Sequence, residues 1–159
     1  MKTALIALAA VTCLGLSAQA FAQTCASPLP ITSGGTPNAT RSGDLCTATN
    51  TLPGYGVVPS PQNDVVYSFV AQSANATITV AGNMFGGTVV LMPTPCATAT
   101  DIIAAGNAGN PMVVSGLTNG ATYYVIMTAD PGGAANACGP YTLTVAGTLP
   151  VSLQGFSVE

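Results

Sequence analysis

Apolar residues in this chain recur at every second position over short runs, and a period of two marks half-buried strands. In DVVYSFVA, residues 64–71, Val65, Tyr67, Phe69 and Ala71 share one face while Val66, Ser68 and Val70 share the other. ATITVAG, residues 76–82, turns Ile78 and Val80 inward and Thr77 and Thr79 outward. GTVVLM, residues 87–92, predicts a third strand, stopped by Pro93 and Pro95 because proline cannot donate to a ladder. DIIAAG and PMVVSG predict shorter strands, and PYTLTVAG, residues 140–147, places Tyr141, Leu143 and Val145 on one face. No run carries the 3.6-residue period of an amphipathic helix. Short strands about ten residues apart, with turn residues between them, predict an all-β sandwich or barrel.

GLTNGATYYVIMTA, residues 116–129, differs from the others because both of its faces are apolar. Thr122, Tyr124, Ile126 and Thr128 fall on one side, and Tyr123, Val125, Met127 and Ala129 on the other, so each side needs a covering. One face is expected to fill the core between two sheets, and the other to lie under the N-terminal stretch or on an exposed surface. Asn119-Gly120 is a hairpin signal, since both residues tolerate positive φ. A two-residue loop there would pair Val114 with Val125 and Val113 with Ile126, and set Tyr123 against Gly116.

The ends of the chain read differently. Residues 1–22 form a signal peptide: Lys2 is the basic n-region, Ala4 to Leu16 the apolar stretch, and Ala20-Phe21-Ala22 the cleavage site. Cys13 leaves with it. Residues 23–63, rich in Pro, Gly, Ser, Thr and Asn, predict an irregular flap with short strands near Leu29 to Thr32 and Gly43 to Ala48. The sandwich body then runs over 64–147, and 148–159 is a tail or an edge strand with a bulge at Gly155. Four cysteines remain in the exported chain, Cys25, Cys46, Cys96 and Cys138, an even number in a compartment where disulfides persist. They allow three pairings, of which Cys25 with Cys46 and Cys96 with Cys138 is the one expected. The location is secreted, either extracellular or periplasmic.

Charge narrows the partners. After cleavage the only cation is Arg41, against Asp44, Asp64, Asp101, Asp130 and Glu159. One arginine cannot supply the footprint that nucleic acid or an anionic membrane surface requires. The mature sequence also has no apolar run of about 18 residues that would make a spanning helix.

The runs DVVYSFVA, ATITVAG, FGGTVVLM, VVSGLTNGATYYVIM and GPYTLTV resemble, in that order, the bacterial pre-peptidase C-terminal domain in its cysteine-bearing exported form, over residues 25–147. The most specific elements are L-x-x-G-x-x-Y-Y-V at Leu117 to Val125 and G-x-Y-T-L-x-V at Gly139 to Val145. The resemblance implies an antiparallel β-sandwich of jelly-roll-like type with about eight strands. It further implies a non-catalytic accessory module with roles in export, surface attachment or substrate contact. Where that family often has acidic residues, this chain has Thr88 and the uncharged AAGNAGNP, which puts an implied calcium site in doubt.

Catalysis finds little material. No histidine is present, and no lysine remains after cleavage, so a Ser or Thr nucleophile lacks its ordinary base. A hydrolase would have to rest on two carboxylates such as Asp64 and Asp130, both at ordinary turn or strand-end positions. Calcium, for which Asp64, Asp101 and Asp130 are the weak candidates, needs six to eight oxygens, and these aspartates are far apart in sequence. No cofactor is otherwise implied. The expected function is therefore a secreted, non-enzymatic module making protein, envelope or surface contacts through adhesion, export support or self-association. The alternative is a carbohydrate-binding module, with Tyr55, Tyr123 or Tyr124 as the ring that contacts a polysaccharide.

Overall fold

The computed structural model describes residues 24–32, 38–52, 54–55, 58–59, 62–82, 87–94, 101–129 and 138–147. The expected leader and the expected C-terminal edge strand lie outside these residues. The strands in chain order are β1 Leu29–Pro30, β2 Asn38–Asp44, β3 Gly54–Tyr55, β4 Val58–Pro59, β5 Asp64–Val70, β6 Asn75–Gly82, β7 Thr88–Met92, β8 Ala104–Asn107, β9 Met112–Ser115, β10 Thr122–Thr128 and β11 Pro140–Ala146. A 3-10 turn, Leu45–Thr47, interrupts them, and no α-helix occurs among the described residues.

Two sheets face each other, one of five strands in the order β1-β5-β10-β7-β8 and one of four in the order β2-β11-β6-β9, with β3 and β4 as a separate ribbon. This is the expected all-β sandwich. Pairing is antiparallel except at β1, which runs parallel to β5 over two residues. The period-two faces become the core: Val65, Tyr67 and Phe69 of β5 and Tyr123, Val125 and Met127 of β10 meet Ile78, Val80, Leu143 and Val145 of the opposite sheet. Burying an aliphatic side chain of this kind contributes about 1.5–3 kcal/mol.

The second apolar face of β10 has its own covering. Ile126, Val66, Val90 and Met92 form a smaller cluster outside the five-stranded sheet, closed by Leu52 and flanked by Cys25, Ile102 and Tyr124. Segments from before and after β2 thus act as a lid on the sheet. β2 itself is more than a flap. It pairs with β11 along its whole length, from Asn38 opposite Ala146 to Asp44 opposite Pro140. The strand expected over Gly43 to Ala48 ends at Asp44, whose side chain accepts a hydrogen bond from the Cys46 N–H (2.9 Å) and starts the 3-10 turn. Arg41 points in from this edge and donates to the Pro30 carbonyl at 3.2 Å and to Thr32 Oγ1 at 3.4 Å, clasping one sheet to the other.

The hairpin expected at Asn119-Gly120 is not formed. β9 pairs with β6 in the four-stranded sheet, whereas β10 lies between β5 and β7 in the other, with Val125 opposite Tyr67 and Leu91. The turn itself exists: Ala121 N–H donates to the Thr118 carbonyl (3.1 Å), and Gly120 has φ +82°. Instead of folding a strand back on its neighbour, it carries the chain from one sheet to the other. It is tied to the β5–β6 crossing by Gly120 N–H to the Ala71 carbonyl (2.7 Å) and Leu117 N–H to the Ala74 carbonyl (3.0 Å). The Tyr123 hydroxyl reaches back to accept from the Thr118 N–H at 2.8 Å, the geometry of a tyrosine corner. The L-x-x-G-x-x-Y run is therefore an inter-sheet corner: Leu117 is buried, Gly120 turns and Tyr123 locks.

The expected cysteine pairing is also corrected. Cys46 is bonded to Cys138, so neither Cys25–Cys46 nor Cys96–Cys138 forms. β2 and β11 are neighbours, and Leu45 N–H bonds to the Gly139 carbonyl (3.0 Å), which brings the two cysteines together just beyond the strand ends. Cys25 is disulfide-bonded as well, and Cys96 lies outside the described residues.

Replacing Tyr123 by Phe keeps the ring but removes the acceptor for the Thr118 N–H. We expect urea unfolding to show a loss of about 1–2 kcal/mol, with the far-UV spectrum unchanged.

Candidate functional site

With the outer side of the five-stranded sheet covered over Val66, Val90, Met92 and Ile126, the four-stranded sheet presents the more open face among the described residues. Alternation turns Ala39, Leu143, Val145, Ile78 and Val80 into the core, which leaves hydroxyls outside. The triplets Thr40-Arg41-Ser42, Thr142-Leu143-Thr144 and Thr77-Ile78-Thr79 lie on three adjacent strands. In register, Thr40, Thr144 and Thr79 make one row, and Ser42, Thr142 and Ala81 make the next. Strand geometry separates neighbouring hydroxyls by about 4.8 Å across the strands and about 6.8 Å along them. Asp44 is the one charged side chain on this face among the described residues.

The rows end in a shallow open trough of about 470 Å3, lined by Ser42, Gly43, Ala81, Gly82, Pro140, Tyr141 and Thr142. Both strands that flank Tyr141 carry a glycine opposite it, Gly43 and Gly82. A Cβ at Gly43 would lie 2.5 Å from the Tyr141 hydroxyl, and one at Gly82 would lie 2.3 Å from the Pro140 carbonyl oxygen. Gly82 also has φ +134°, a backbone conformation that other residues rarely adopt. At the lip, Ser42 Oγ and Thr142 Oγ1 are hydrogen-bonded at 3.1 Å.

Beneath the trough, Tyr141 crosses the core to Tyr67 of the other sheet. The hydroxyls are 2.7 Å apart and the rings meet edge to face at 6.4 Å. Burial, then the hydrogen bond and proximity of Tyr67, then Asp44, push the Tyr141 phenol well above its ordinary value near 10. This pair is a polar cross-link between the sheets. The alternation shows both tyrosines facing inward, but only the topology brings them into contact.

The residues singled out from the sequence fall in several places. Asp64 is 2 % exposed, and its carboxylate accepts from Thr51 N–H (2.7 Å), Leu52 N–H (2.8 Å) and the Thr51 hydroxyl. It is a structural acceptor, and these bonds hold Leu52 over the outer cluster. Asp101 is exposed, Asp130 lies outside the described residues, and the described residues bring no three acidic, histidine or cysteine side chains together. Tyr123 is buried in the corner, its ring 6.0 Å from that of Phe69, so it offers no open face to a ligand. Tyr124 is half-buried against the outer cluster, and Tyr55 is placed in β3 by its backbone alone.

No protein-family model matches the chain, and no curated protein matches it. Two solved structures are similar to it. One is PliG of Aeromonas hydrophila, a periplasmic lysozyme inhibitor of g-type lysozyme, with 15% identity, a TM-score of 0.51, and coverage of 74% of this chain and 93% of that one. The other is the pre-peptidase C-terminal domain of a Bacillus anthracis collagenase, with 24% identity, a TM-score of 0.42, and coverage of 74% and 90%. The second is of the family whose motifs the sequence resembles.

Two measurements test the roles given to Tyr141 and Asp64. The folded protein holds the Tyr141 proton more tightly than the unfolded chain. Stability from this group is therefore complete below about pH 10 and falls as pH rises beyond it, and Tyr141→Phe should flatten that alkaline slope. Asp64→Asn presents a donor to groups that already donate, and should cost at least about 2 kcal/mol in chemical denaturation, unchanged by added calcium.

Proposed function

We propose that this chain is an exported, non-catalytic β-sandwich module that attaches to an envelope or other extracytoplasmic surface through the outer face of its four-stranded sheet. The observation that carries the reading is the contrast between the two sheets. One is roofed by Leu52, Cys25 and Ile102, while the other presents ordered rows of uncharged hydroxyls. A face with so little charge repels a neighbouring surface weakly and permits close approach. The Cys46–Cys138 bond suits an oxidising compartment outside the cytoplasm. A non-enzymatic role agrees with the absence of histidine and with the engagement of Asp64 in hydrogen bonds. The Aeromonas hydrophila protein that shares the fold is an inhibitor, so binding without turnover is compatible with this architecture.

The test is retention of the labelled protein on cells of the producing organism. Thr144→Lys places a charge in the middle of the face, and Val70→Lys places one on an exposed position of the other sheet. The face variant should lose about tenfold in retention with an unchanged melting temperature, and the control should not. Equal retention of all three proteins would overturn the proposal.

A further inference from the structure

We infer that the trough beside Ser42, Ala81, Pro140 and Thr142, together with the hydroxyl rows leading away from it, binds a neutral polysaccharide. This rests on the contact reading above and gives its partner a chemistry.

Charge selects the class first. Arg41 is turned in toward the Pro30 carbonyl and Thr32, so the face offers no cation to an anionic polymer. Asp44 at its border and a net charge of −3 for the chain repel one. A protein partner is poorly served too. Interface hot spots are built from Trp, Tyr, Arg and large apolar anchors, and among the described residues this face exposes only Val113, 76 % exposed, on the edge strand β9. What the face does repeat is hydroxyls, and the matching partner is a polymer that is uncharged and repeats hydroxyls itself.

The trough supplies the anchoring subsite. It is an open depression of about 470 Å3, not an enclosed cleft, and that shape suits one unit of a polymer lying across the face. Pro140 and Ala81 provide an apolar patch for the C–H side of a sugar ring. Ser42 and Thr142 use one donor and one lone pair in bonding each other, which leaves one hydroxyl donor and several acceptors for a ligand. Thr144 and Thr79 continue from this point as the next row.

Energetics fix what binding should look like. Exchanging a hydroxyl's water for a sugar hydroxyl gains little net free energy, and among the described residues the one aromatic ring at the trough, Tyr141, is buried and bonded to Tyr67. Affinity must then come from many weak contacts along one chain, so a polymer should bind where its monosaccharide does not.

The experiment is native affinity electrophoresis of the purified protein through gels containing a mixed-linkage β-glucan, a galactomannan, dextran or polygalacturonate. At least one neutral polymer should retard the wild type, polygalacturonate should not, and the free monosaccharides should fail to compete. Ala81→Arg, which fills the trough, should weaken the retardation at least about tenfold, while Val70→Lys leaves it unchanged. Circular dichroism confirms that both variants are folded. Failure of every neutral polymer, preference for polygalacturonate, or equal retardation of Ala81→Arg would each overturn the inference. If Thr144→Lys still abolishes retention on cells while no neutral polymer retards the wild type, the contact reading stands and the polysaccharide is wrong.

Discussion

A central strand that is apolar on both faces cannot end its folding with a two-layer sandwich. β10 lies between β5 and β7, with Met127 and Val125 in the inter-sheet core and Ile126 on the far side, where without a lid it would face water. Covering Ile126 requires chain from outside the sheets, and Leu52 and the region of Cys25 provide it. Asp64 then acquires its purpose. A buried carboxylate is costly unless its acceptor capacity is used, and here two N–H groups and a hydroxyl use it while drawing Leu52 into place. The lid, the buried acid and the roofed sheet are consequences of one strand's composition.

Roofing one sheet is what gives the molecule a direction. Among the described residues the opposite face stays open, and it is the face where Thr alternates with Ile, Leu and Arg on three neighbouring strands. Side-chain size shapes the packing further: Tyr141 takes the space on the core side of Gly43, and the β11 backbone approaches Gly82 too closely for a Cβ.

Much of this was legible in the chain. The inward and outward sets of β5, β6, β10 and β11 follow from alternation alone, because one buried face constrains a strand's register strongly. Two features escaped for a shared reason. Asn119-Gly120 specifies a local turn, but whether the next strand pairs with the previous one or crosses to the other sheet depends on contacts with Ala71 and Ala74, remote in sequence. Likewise the pairing of Cys46 with Cys138 depends on β2 lying beside β11, and nothing near either cysteine encodes that adjacency. The hydroxyl rows were half visible: Thr77 and Thr79 read as outward residues, but only strand order places them next to Thr142, Thr144 and Thr40. The partners of Asp64 were not legible, because a strand-opening aspartate looks the same in sequence whether it faces solvent or a buried pair of amides.

The Cys46–Cys138 bond has a mechanical meaning. It joins points 92 residues apart in the chain yet only 5.0 Å apart between Cα atoms. It therefore closes β3 to β10 into one covalent loop whose ends cannot separate under tension, and it is over that loop that the unfolded chain loses the most freedom.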